Sequence, residues 1–131
     1  MTPVLIIEIV SALVALACLV ALVVQLIQLA ILRMAGRPQG EGVVARHHSA
    51  VALSLCGASV VHGVAAMAYA SGASVLAYVF GWLAVACFLA SGACVMPPVR
   101  RRLCAHALPG HIGLFVVGVV LVVVHAVAAR L

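Results

Sequence analysis

Four apolar runs, each long enough to cross a lipid bilayer, constrain this chain more than any other feature. The first runs from about Pro3 to Leu32, broken only by Glu8, Gln25 and Gln28; the others cover about 48–70, 75–96 and 110–129. About 20 apolar residues in a helix cross the roughly 30 Å hydrocarbon layer. Lipid offers no partner to a backbone N–H or C=O, so runs of this length are stable there as helices. The 131 residues are 68% apolar and 7% charged, whereas a soluble domain carries about a quarter charged residues. A soluble globular domain is thereby excluded, as is disorder, which needs low hydrophobicity and high charge. The expected fold is all-α, a single integral membrane four-helix bundle over residues 1–131.

The charges report orientation. All seven basic residues other than histidine are arginines. Arg33, Arg37 and Arg46 follow the first run, Arg100, Arg101 and Arg102 follow the third, and Arg130 alone falls on the other side. By the positive-inside rule both arginine-bearing connections are expected in the cytoplasm and both termini outside. The net charge of +5 thus needs no nucleic-acid partner. Ser71, Gly72, Ala73 and Ser74 read as a tight turn between the second and third helices, and Pro109 suits the first turn of the fourth. The N-terminus does not read as a removable signal peptide. The absence of lysine and the alanine, valine and arginine bias fit a GC-rich genome, and the expected location is a bacterial inner membrane.

Cys18, Cys56, Cys87, Cys94 and Cys104 form no CxxC or CxxCH pattern and read as small packing residues. No phosphate-binding loop occurs, since Gly36 and Gly40 lack both the lysine and the strand context.

The histidines carry the chemistry. His48 and His62 have 13 residues between them on the second helix, and His111 and His125 repeat that interval on the fourth. A step of 14 is four turns at the 3.5 residues per turn of a left-handed bundle, so each pair lies on one face. At about 1.5 Å per residue the two members are about 21 Å apart along the axis. The second and fourth helices run in the same direction, so His48 shares a depth with His111 near the arginine side, and His62 with His125 nearer the other. Ionisable residues inside spans mark functional sites by default. Each level supplies two imidazoles, whereas a structural zinc site takes four ligands and a catalytic one three. Haem needs only two from the protein, so bis-histidine haem b fits the count best. Ala52, Gly57, Ala58 and Gly118 are expected to leave room for the macrocycles. A faint repeat, Val60–Ala66 against Val123–Ala129, lies in register with the histidines.

On Arg46-His47-His48 to His62-Gly63 and Gly110-His111-Ile112-Gly113 to His125, the chain resembles the haem-binding core of diheme b-type cytochromes. These are the cytochrome b of quinol-oxidising complexes and the transmembrane domains of ferric reductases and NADPH oxidases. The resemblance covers the second to fourth helices. It implies two b-type haems, an inner one on His48 and His111 and an outer one on His62 and His125, and electron transfer across the bilayer. The electrons would be exchanged with a quinone, a small redox molecule or a partner redox subunit, in an electron-transfer cytochrome or a membrane oxidoreductase component.

Several assignments stay open at this point. His47 competes with His48 as inner ligand, although it sits about 100° around the helix. His106 reads as interfacial. Arg46, Arg100, Arg101 and Arg102 serve topology, with Arg46 and Arg101 as candidate partners of haem propionates, since arginine pairs with carboxylates in bidentate fashion. Glu8 lies near the depth of the outer pair and is either a carboxylate reaching the interface or a proton acceptor there. Gln25 and Gln28 are expected to bond between helices near the inner face. From a different class, a non-redox membrane subunit or transporter would use the same histidines to pass protons or a metal such as copper.

Overall fold

A computed structural model describes residues 2–36, 46–69 and 74–130, and every regular element in them is helical. Helix α1 spans Pro3–Met34, α2 His48–Tyr69, α3 Val75–Val95, a short α4 Pro97–Leu103, and α5 Ala107–Ala128 after one 3-10 turn at Cys104–His106. Four segments are long and apolar enough to cross a membrane, the last running from Pro97 to Ala128.

Local chemistry explains the boundaries. Thr2, extended and followed by proline at the first helical position, caps α1 with a bond to its hydroxyl from the Leu5 N–H at 3.4 Å. Gly36 ends that helix at φ +63°, in the left-handed conformation that costs glycine least. Ser74 caps α3 by accepting from Ala77 N–H at 3.3 Å. The third helix stops where it does because Met96 precedes Pro97, and the residue before a proline is driven out of the helical region, here to φ −64°, ψ 140°.

The connection between the third and fourth spans differs most from expectation. The arginine connection expected between the third and fourth spans contains α4, which carries Arg100, Arg101 and Arg102 exposed in its last turns. Cys104, at φ 49°, then turns the chain. The last long helix begins at Ala107 rather than 110, with Pro109 inside its first turn as its missing N–H permits. Arg37, Gly40 and residues 71–73 of the expected turn lie outside the described residues.

The helices pack as two antiparallel hairpins, α1 against α2 and α3 against α5, joined by a narrower contact between α2 and α3. That contact is close where Gly63 faces Trp82: a Cβ on Gly63 would lie 3.1 Å from the indole ring. Tyr78 Oη donates to the Ala66 carbonyl at 3.3 Å, a second tie between hairpins. Ser74 Oγ donates to Ala128 O at 2.9 Å and fastens the ends of α3 and α5. Leu19, Leu22, Leu55, Ala84 and Phe88 form the buried core at mid-height, with Phe115 and Val122 packed against it. Leu13, Leu16, Val20, Val24, Ile27, Val120 and Val123 point outward, as residues facing acyl chains do. Lipid tails are as apolar as these side chains, so close packing and polar ties hold such a bundle together.

Candidate functional site

The second and fifth helices begin at the arginine-bearing end, because each is the returning strand of its hairpin. Their faces meet through the histidines. His48 and His111 stand with ring centroids 6.0 Å apart and planes at 72°; His62 and His125 stand 6.3 Å apart at 83°. The structure therefore brings together the four histidines that the repeated interval singles out, at two depths. His47 is exposed and faces neither pair, and His106 is exposed in the 3-10 turn.

Each of the four rings is oriented through Nδ1. His48 Nδ1 donates to Gln25 Oε1 at 2.9 Å, His62 Nδ1 to the Glu8 carbonyl at 3.2 Å, and His125 Nδ1 to the Ala77 carbonyl at 2.7 Å. His111 Nδ1 donates to the Ser91 carbonyl at 2.9 Å and lies 3.0 Å from Ser91 Oγ, whose own O–H donates to the His111 carbonyl at 2.8 Å. A carbonyl oxygen only accepts, so the ring proton resides on Nδ1 and Nε2 keeps its lone pair free. In metal-ligating histidines, a bond of this kind from the other ring nitrogen fixes the tautomer and raises the ligand's basicity.

The ring separations can be compared with two simple arrangements. Two imidazoles bonded to each other nitrogen to nitrogen would have centroids about 5 Å apart, since such a bond is about 2.9 Å long and each nitrogen lies roughly 1.1 Å from its ring centre. With one metal atom in line between them, at about 2 Å from each nitrogen, the centroids stand about 6 Å apart. Both separations, 6.0 and 6.3 Å in edge-to-face contacts at 72° and 83°, leave room for such an atom between the rings. Among the described residues no three histidine, cysteine, aspartate or glutamate side chains converge on one point, so each pair offers two protein ligands. The residues present fit a group that brings the remaining ligands itself.

Around the His62–His125 pair lies a cavity of about 490 Å³, within the range of about 300–1,000 Å³ common for ligand and cofactor sites. Both His62 and His125 line it, together with Trp82, Leu55 and Phe88. Gly81 lies on its wall, and a Cβ there would sit 3.1 Å from His125 Nδ1. Glu8 also lines the cavity; its Oε2 is buried and has no hydrogen-bond partner among the described residues.

Arg46 and Arg101 are both exposed, Arg46 just before α2 and Arg101 on α4. Gln25 bonds between helices as expected, whereas Gln28 is exposed. Gly118 does not leave room for a macrocycle: Phe88 of α3 fills the space, and a Cβ on Gly118 would lie 2.5 Å from its ring. Gly57 is exposed and a Cβ there would meet nothing. Gly63 and Gly81 both line the cavity, and position 81 attracts no notice in the sequence because no motif surrounds it. Ser91, 3% exposed and bonded to His111, is the other residue that the sequence did not single out; its one sequence signal is a hydroxyl inside an apolar span. The chain matches no protein-family model, no curated protein and no solved structure.

Proposed function

We propose that this protein is a two-haem membrane cytochrome of the b type, carrying electrons between the two faces of the bilayer. The observation that carries the reading is the state of the four rings: every Nδ1 is engaged by an acceptor, and the paired rings stand 6.0 and 6.3 Å apart. His48 and His111 would hold the inner haem and His62 and His125 the outer one, each through Nε2. Bound haem supplies a one-electron iron couple whose potential the ligands and their surroundings tune.

The chain's own residues do the rest. Ser91 and the carbonyls of Glu8 and Ala77 hold the ligand rings in place. Leu55 and Phe88, both buried between the two levels, exclude water from the middle of the bundle. The arginine-bearing end is assigned to the cytoplasm and the membrane to the inner membrane of a bacterium. A quinone, a small redox molecule or a separate redox subunit is the partner. A bare copper ion could also take two imidazoles, but a cavity of about 490 Å³ is far larger than such an ion requires.

Purified protein from haem-replete cells tests this by its colour. A Soret band that shifts on dithionite reduction, with two haems per chain, is the expected result. In His62→Ala and in His111→Ala the ratio should drop to one. A colourless wild-type preparation refutes the assignment, and one that is colourless and binds copper points to the transport reading instead.

A further inference from the structure

The two histidine pairs are held in different ways. His62, His111 and His125 each donate to a main-chain carbonyl of the partner helix in the same hairpin, namely that of Glu8, Ser91 or Ala77. Such acceptors are part of the helix itself and survive nearly any substitution at their position. His48 alone is oriented by a side chain with no main-chain acceptor, the amide oxygen of Gln25 at 2.9 Å. Gln25 lies on α1, half-buried in a helix whose only other polar side chains between Thr2 and Arg33 are Glu8, Ser11 and Gln28. An amide costs free energy in an apolar span unless it is hydrogen-bonded, and His48 supplies the bond.

We infer that Gln25 is a positioning residue for the inner site alone: by accepting the Nδ1 proton of His48 it sets that ring's orientation and the donor strength of its free Nε2. This rests on the two-haem reading above. An acceptor on Nδ1–H shifts the imidazole toward imidazolate character and strengthens its bond to the oxidised metal more than to the reduced one. Outer-shell hydrogen bonding is one of the protein's levers on haem potential. One side chain of α1, itself no ligand, thus adjusts the inner site independently of the outer one.

Substitutions that change the acceptor in opposite directions separate this role from a purely structural tie between α1 and α2. Gln25→Leu removes the acceptor. The inner haem should bind about 10- to 100-fold more weakly, the usual effect of deleting such a partner, and its potential should rise. A tenfold weaker preference for the oxidised state corresponds to about 59 mV for one electron. Gln25→Glu supplies a stronger acceptor, and the same potential should fall.

The experiment is an equilibrium redox titration of the purified full-length protein followed by Soret absorbance. His111→Ala identifies the inner component by deleting it, and the outer component serves as the folding control in every variant. The inference is supported if Leu raises and Glu lowers the inner component while the outer one stays within error. It is overturned if both variants shift it the same way, if neither shifts it, if both components move together, or if both variants lose all haem. A wild-type protein with no haem overturns the reading beneath it; two haems with unresponsive Gln25 variants overturn the Gln25 assignment only.

Discussion

Gly81 shows how little room the His125 ring is given. His125 passes so close to α3 that a Cβ at 81 would stand 3.1 Å from Nδ1 and 3.3 Å from Cε1. The same nitrogen must also reach the Ala77 carbonyl at 2.7 Å, one turn earlier on that helix. A methyl group therefore cannot be added without turning the ring or parting the helices. For Gly81→Ala we expect outer-haem affinity to fall by about tenfold or more, the order seen when a ligand loses its supporting bond, while inner-haem content is kept. The haem-to-protein ratio across a haem titration measures this, and an unchanged ratio at limiting haem would show that the ring tolerates the methyl. Gly118 works differently. It admits Phe88 rather than a ligand, and its contribution is the close α3–α5 approach at the core.

Helix α4 gathers a row of arginines into one short, exposed helix. Pro97 and Pro98 start it, three consecutive arginines end it, and Cys104 closes it with a thiol 3.2 Å from the Arg101 carbonyl. Arginines snorkel to the headgroup level and are favoured on the cytoplasmic face. All five cysteines are free, and Cys104 is the exposed one, the others being half-buried within spans. This makes it a reporter of orientation. A membrane-impermeant maleimide should label Cys104 in inverted inner-membrane vesicles and leave it unlabelled in intact spheroplasts, with Cys104→Ser as the control. Labelling in spheroplasts only would invert the assigned topology. Pro109, inside the first turn of α5, illustrates how a proline near a helix start leaves the exact boundary undetermined in the sequence, since the first four N–H groups need no intrahelical partner.

The molecule is two hairpins with a seam. Within each hairpin the helices lie in contact along their length, whereas the hairpins meet at the mid-height core, at Gly63–Trp82, and at the facing histidines. A group bound by one ring from each hairpin would clamp that seam at two depths. Any ligand that binds the folded form alone stabilises it by mass action, about 4 kcal/mol at a thousandfold excess over Kd. Protein made in haem-deficient cells should keep its helical circular dichroism, melt at lower temperature in the same detergent, and recover on adding haemin. Equal melting curves for the haem-free and haem-loaded forms would show that nothing bridges the hairpins.

How much of this is legible without a structure follows from where each feature is encoded. The four spans, their helical nature and the pairing of 48 with 62 and 111 with 125 are written locally. Lipid penalises any other backbone, and a step of 14 on a helix has one geometric consequence. The facing of His48 with His111 and of His62 with His125 depends on how the hairpins dock, and docking is a long-range property of packing. The acceptors behind the rings were beyond reach for a sharper reason. Three of the four are main-chain carbonyls, which every residue type carries, so no pattern of side chains announces them. The fourth, Gln25, is visible as a polar residue in an apolar run, but its partner lies 23 positions away on another helix. The chain's length and patterning thus settled the spans and placed the histidines in two layers; helix packing determined that those layers meet, which nitrogen stays free, and which glycine makes room for the ring.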